Sequence, residues 1–214
     1  MQIAPTDRST VRRQPQRASY DRELVNAVID EALSCHVGFA VESRPWVIPT
    51  IHARIDDRLY LHGAVANHML RALTGGIEAC VTMTLVDALV LARSAFHHSM
   101  NYRSVMVFGR LTKVDDDDEK RAALHALVEH VVPGRSADAR PPSAKELRTT
   151  SVLALPITEA SAKVRTGGPI DEPEDLALAV WAGQLPVANT YGSPIPEPDS
   201  AVPVPAYVTG YTRP

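Results

Sequence analysis

Cysteine is scarce in this chain. The two residues, Cys35 and Cys80, stand apart in apolar segments, and no Cys-x-x-Cys pair occurs. That excludes a disulfide-stapled scaffold and a thiolate metal ribbon, so both read as small buried residues. Long apolar runs are also missing: none approaches the ~18 residues that span a bilayer. The polar, arginine-rich start lacks the apolar core of a signal peptide. A cytoplasmic, reducing setting without membrane contact is therefore expected. Gly-x-Gly-x-x-Gly, the P-loop, Gly-x-Ser-x-Gly and His-Glu-x-x-His are all absent, which argues against a Rossmann dehydrogenase, an NTPase, an α/β-hydrolase and a zincin. A formal net charge of only −3 leaves no broad basic footprint for nucleic acid.

What is present suits one ordinary domain with tails: 214 residues, 45% of them apolar. Seventeen prolines are unevenly spread. Residues 166–214 read as a proline-rich arm that packs on the domain or on a partner subunit. Residues 1–19, with four arginines and few apolar groups, read as a flexible lead-in. The domain itself spans residues 20–165.

Asp21 caps a helix expected over 21–35 and stopped by Gly38. Strand formers follow at Val37–Glu42 and Trp46–Arg54, with Arg44-Pro45 as the turn between them. Asp56-Asp57 turns the chain into a strand at 58–62. Ala66–Leu73 is a short helix ended by Gly75-Gly76. Ile77–Val86 alternates as a strand, Asp87-Ala88 turns, and 88–95 runs back. Tyr102–Val114 is a long strand whose centre, 105–108, is apolar on both faces and so expects cover on both sides. A helix over 115–132 starts with acidic residues that favour its dipole. Ser143 and Glu146 form a capping box. Ser151–Thr158 is the last expected strand, and 175–181 a short helical piece. The tally is six to seven mostly antiparallel strands with flanking helices, a small barrel rather than βαβ units.

Three places carry candidate chemistry. Pro49 cannot donate to a ladder, so its strand lies at an edge or bulges there. At Leu61–Arg71 a strand ends on a glycine and a helix begins, where unpaired N–H groups suit an anion and His68 and Arg71 share a face. The segment 94–103 is rich in donors, including His97 and His98, and suits a pocket wall. Eight histidines show no convergence of three or four, so no metal site is expected.

In order, Trp46-Val-Ile-Pro-Thr50, Leu59-Tyr-Leu-His-Gly63, Asn67-His-Met-Leu-Arg71 and Ala92–Val105 resemble the pyridoxamine 5′-phosphate oxidase-like, flavin-nucleotide-binding proteins, in the branch near nitroimidazole-reductase-like proteins. The resemblance covers about 20–165. It implies a split β-barrel, a homodimer, and FMN at the subunit interface. Val47, Ile48, Pro49 and Thr50 would run along the isoalloxazine. His62, Gly63, Asn67, His68 and Arg71 would face the phosphate, and Tyr102, Arg103 and Ser104 would reach the flavin, often across the dimer. The chain departs from the family pattern at Ala64, Asn67 and His68, where a hydroxyl and a Ser-Arg pair are usual. Each lost charge-assisted bond to phosphate costs about 1.5–3 kcal/mol.

The resemblance implies an FMN-dependent oxidoreductase acting on a small molecule, with His97 and His98 on the substrate side and no evident protein acid or base. A non-catalytic flavin-binding or storage protein is the alternative that the weakened phosphate signature motivates. Haem and deazaflavin F420 are the competing ligands.

Overall fold

The computed structural model describes residues 1–213. Ala18–Ser19 (β1) pairs with a late strand, and an isolated bridge joins Gln2 to Asp21. Ile3 lies in the core. Residues 1–19, expected as a flexible lead, therefore run along the sheet.

Helix α1 (Arg22–Glu31) has Asp21 at its N-cap and buries Val25, Val28 and Ile29. It stops at Ala32, short of the expected 35, because the chain is needed for β2 (Cys35–Val41). Gly38 is thus a strand residue rather than a helix stop; a Cβ there would lie 3.5 Å from the Cys80 carbonyl oxygen. The turn into β3 (Arg44–Thr50) is Glu42-Ser43, both at positive φ, and not Arg44-Pro45. Such a two-residue turn matches the twist of its flanking strands. Proline is tolerated inside β3 because the strand pairs with β2 alone, at the edge of its sheet. Pro45 and Pro49 share a parity, so their missing N–H groups fall on the open side.

The segment expected as one strand to Arg54 breaks at Ile51–His52. His52 turns inward and is fully buried, and the chain passes to a second sheet at β4 (Ala53–Ile55). A hairpin over Asp56-Asp57 leads to β5 (Arg58–Ala64). Asn67 caps α2 (His68–Thr74) by accepting from the Leu70 N–H at 3.2 Å. The expected turn at Asp87-Ala88 is instead a bulge in one 14-residue strand, β6 (Glu78–Leu91). The bulge absorbs one unpaired residue without reversing the chain.

β7 (Ser99–Arg110) and β8 (Thr112–Lys113) replace the single strand expected over 102–114. Val105 and Val107 are wholly buried, but Met106 is 41% exposed, so one face of β7 lies open in the single chain. Then follow α3 (Asp117–Val131), α4 (Arg135–Asp138) and α5 (Ala144–Thr149), the last with both halves of its capping box formed. β9 (Thr150–Pro156) is not the last strand: β10 (Ala160–Arg165) and β11 (Gly183–Pro186) come after it. The helical piece near 175 is a 3₁₀ turn, Pro173–Ala177, and α6 (Ala206–Thr209) lies in the arm.

Every strand pairing is antiparallel. A seven-stranded sheet has the order β1-β10-β7-β6-β2-β3, with β11 beside the far end of β6; a four-stranded sheet has the order β4-β5-β9-β8. This is a split barrel, mainly β with flanking helices, and it does not close. Among the described residues there are eleven strands, seven of them in the larger sheet, and several have only two to four residues. Leu59, Leu61, Leu153 and Leu155 of the smaller sheet meet Val37, Val81, Met83, Val105 and Val107 of the larger in one core. The arm returns to the helices: the Tyr211 hydroxyl donates to the Val131 carbonyl at 2.7 Å, and Arg213 Nε donates to the Glu31 carbonyl at 2.7 Å.

Candidate functional site

Two of the expected stretches come together at one end of the barrel. The Trp46 ring of β3 lies 5.2 Å, centroid to centroid, from the ring of His68, the first residue of α2. His62 and Gly63 end β5 directly beneath α2, where a Cβ on Gly63 would meet Leu70 Cδ1 at 3.0 Å and Asn67 Nδ2 at 3.6 Å. Glycine is therefore what lets helix and strand approach. His62 Nδ1 is buried and takes no partner among the described residues, and burial holds its pKa below the ordinary imidazole value. Arg71 and His68 are exposed. Alternation on β3 turns Val47 and Pro49 to the outer face of the sheet, and Ile48 and Thr50 to the inner side. A flat edge with free main-chain groups and exposed Val47 fits a planar heteroaromatic ligand that brings its own donors and acceptors.

Tyr102, Arg103 and Ser104 lie elsewhere in this chain. β7 is separated from β3 by β6 and β2, which is ~14 Å at ordinary strand spacing. Their faces differ as well. Ser104 pairs with Thr84 and Lys163 on the outer side, whereas Arg103 sits at the end of the core side. Arg103 binds both carboxylate oxygens of Glu31 and reaches Asp87 at 2.7 Å. These partners raise its pKa, the Glu31 bond foremost, and keep it charged. It thereby ties α1 to the bulge of β6. Replacing Arg103 with Met is expected to lower stability by about 1–2 kcal/mol, because two half-buried carboxylates lose their shared cation; urea denaturation measures this.

That network lines a cleft of about 560 Å³, closed on one side by Val187–Asn189 and Tyr191 of the arm and by Arg213. Nothing local in the sequence marks these arm residues for the cleft; only the return of the chain brings them here.

The loop between β6 and β7 holds His97 and His98. His97 Nε2 lies 3.4 Å from Glu172. His98 Nδ1 lies 2.9 Å from the Ser94 carbonyl. A carbonyl only accepts, so Nδ1 is the donor in this contact and Nε2 is the ring nitrogen left over. Around it the chain shows apolar surface to solvent: Phe96 is 89% exposed, and Met100, Leu89 and Leu185 lie abreast in one row across β7, β6 and β11. Among the described residues no three or more His, Cys, Asp or Glu side chains gather to hold a metal ion, and no helix is long and apolar enough to cross a membrane.

The family model for pyridoxamine 5′-phosphate oxidase matches residues 21–164. The flavocytochrome Anf3 from Azotobacter vinelandii has a similar structure: TM-score 0.91, 39% identity, 99% of each chain covered. So does the FAD and haem binding protein from Mycobacterium smegmatis, with TM-score 0.87, 37% identity, and coverage of 92% of this chain and 98% of that one. A protein assigned to 5-nitroimidazole antibiotic resistance in Bacteroides thetaiotaomicron is more distant, with TM-score 0.56, 26% identity, and coverage of 69% and 86%. No curated protein matches. With two thirds of its length matched by the family model, and two solved structures alike over nearly the whole chain, this protein belongs to the pyridoxamine 5′-phosphate oxidase family.

Proposed function

We propose that this chain is a homodimeric redox protein that binds a flavin and a haem and passes electrons between them and a small-molecule partner. The observation that carries the proposal is full-length likeness to two proteins named for flavin and haem together. A flavin supplies hydride and single-electron chemistry, and a haem supplies single-electron and oxygen chemistry; the chain supplies position and electrostatics. β3, Trp46 and His68 are the groups that would hold the flavin. Val47, Pro49, Met106 and Tyr102 share the outer sheet face, which supports pairing of two copies there, so that Tyr102 and Ser104 of one copy approach β3 of the other.

The flavin is FAD rather than FMN. FMN ends in a phosphate dianion that needs concentrated positive charge. FAD spreads its charge over two linked phosphates, each with a single charge. Ala64, Asn67 and His68 offer a methyl, an amide and an imidazole, which suits the weaker demand. The apolar row Leu185–Leu89–Met100 beside Phe96 and the His98 imidazole are the residues that would hold the haem, which would supply single-electron chemistry there. The Nδ1–H bond to the Ser94 carbonyl fixes the ring for that role.

The test is the absorbance spectrum of the protein after incubation with FAD and haemin and then desalting, with the released flavin identified by mass. Retained flavin bands together with a Soret band are expected. His98→Ala is expected to remove the Soret band and keep the flavin. Retention of neither cofactor overturns the proposal. Retention of flavin alone returns the chain to a single-cofactor flavoprotein, either an oxidoreductase or a storage protein, which reduction by a nicotinamide donor distinguishes.

A further inference from the structure

The charge of this chain is not evenly spread. On β10, Ala160 and Ala162 point into the core, so Ser161, Lys163 and Arg165 alternate onto the outer face. There they stand beside Met106, Ser104 and Tyr102 of β7. The N-terminal segment crosses the same face and brings Arg12 and Arg13. Together these walls enclose a cleft of about 270 Å³.

Arg12, Arg13 and Lys163 form no ion pair among the described residues; Arg8, at the end of the cleft, is the cation that does, with Glu78 at 2.9 Å and with Glu159. Arg165 is buried, and its guanidinium rests on the Asn101 side chain and the Gly167 and Gly168 carbonyls, with no carboxylate. Burial and then the nearby Arg17 lower its pKa, a sign of crowded positive charge. A chain of net charge −3 thus gathers three cations at the cleft, Arg12, Arg13 and Lys163, that hold no carboxylate among the described residues. Hydroxyls complete the lining. Ser161 lines the cleft at 4% exposure, and Ser104 has a 3.4 Å contact to the Lys163 carbonyl. Uncompensated cations and hydroxyls around a concavity are the donors that phosphate oxygens accept from.

We infer that this cleft binds the phosphate groups of a nucleotide. Adjacent cations at Arg12, Arg13 and Lys163 suit two linked phosphates better than one. The cleft also opens onto a continuous row, Ser161–Met106–Thr82–His36–Pro49, paired across five strands. That row leads ~19 Å to the edge strand. An elongated dinucleotide held by its phosphates at Lys163 thus extends toward the flavin position, a link that rests on the function proposed above. Two sources share this chemistry: the diphosphate of the flavin dinucleotide itself, and that of a nicotinamide dinucleotide electron donor.

Calorimetric titration with ADP and with inorganic pyrophosphate, in flavin-free and FAD-loaded protein, tests the site. Both probes are expected to bind. Arg12→Ala with Arg13→Ala, or Lys163→Ala, weakens them by roughly tenfold or more, Lys163→Arg retains binding, and the melting temperature stays unchanged because these side chains hold no structural partner. ADP binding in both forms assigns the cleft to the donor; binding only in the flavin-free form, with displacement by FAD, assigns it to the flavin diphosphate. No binding, or binding indifferent to these substitutions, overturns the inference. Binding that depends on Lys163 in a protein that takes no flavin keeps the site and defeats the flavin proposal instead.

Discussion

Between pH 7 and pH 4 the protein is expected to lose about 3 kcal/mol of stability through the His52 imidazole alone. The ring is wholly buried. Nε2 donates to the Ile29 carbonyl at 2.9 Å, and Nδ1 has no partner among the described residues. Protonation would place a charge on Nδ1 with no acceptor. Burial is the main cause that pushes the pKa down to about 4. His130, whose ring lies 4.6 Å away, and Arg213 push it further down, while the Ile29 bond and Asp30 oppose them. In the unfolded chain the same group titrates near ~6.5. Between the two values the unfolded chain binds a proton that the folded one refuses, so stability rises with pH there. The contribution is complete above the unfolded value and is lost as pH falls toward 4. His130 and His62 are shifted in the same direction by burial and add to the slope. Urea denaturation at pH 4.5 and 7.5 measures it. His52→Leu should flatten the difference markedly; a variant with the full wild-type slope would show that other groups carry it.

The second large effect concerns which flavin binds. Ala64→Ser with His68→Arg restores a hydroxyl and a permanent cation at the turn before α2. Each restored charge-assisted bond is worth about 1.5–3 kcal/mol, so FMN affinity should rise roughly ten- to a hundredfold per bond. FAD affinity should change much less, because no dianion sits at that turn. Quenching of flavin fluorescence in parallel titrations reads both constants. An unchanged FMN constant would place the flavin phosphate away from α2 and favour the cleft at Lys163. Arginine also loses nothing in packing here, since residue 68 is exposed and its ring only leans on Trp46.

The local elements were legible wherever local chemistry decides them. Asn67 with Gly75, and Ser143 with Glu146, bracket short helices by hydrogen bonds that close within a few residues. Alternation set the inward face of Val81 and Met83. The proline at 49 marked an edge or a bulge because a regular interior strand cannot lose that donor, and the sheet order makes it an edge. The ordered segments from Trp46 to Val105 were enough for the family. Other features depended on contacts distant in sequence. Asp87 reads as a turn residue, yet the strand runs through it, because Arg103 binds the carboxylate and the ladder resumes one residue later. Ala160–Arg165 and Gly183–Pro186 have little intrinsic strand character and become strands because β7 and β6 offer them open edges. Tyr102, Arg103 and Ser104 are consecutive in sequence, but pleating sends Arg103 to Glu31 and leaves Ser104 beside Lys163. Residues alone pointed to the family and through it to the split barrel, to an edge or bulge at Pro49, and to the glycine near the end of β5. Which cations stay unpaired was illegible until the chain had folded, because pairing depends on carboxylates brought near by segments far apart in sequence.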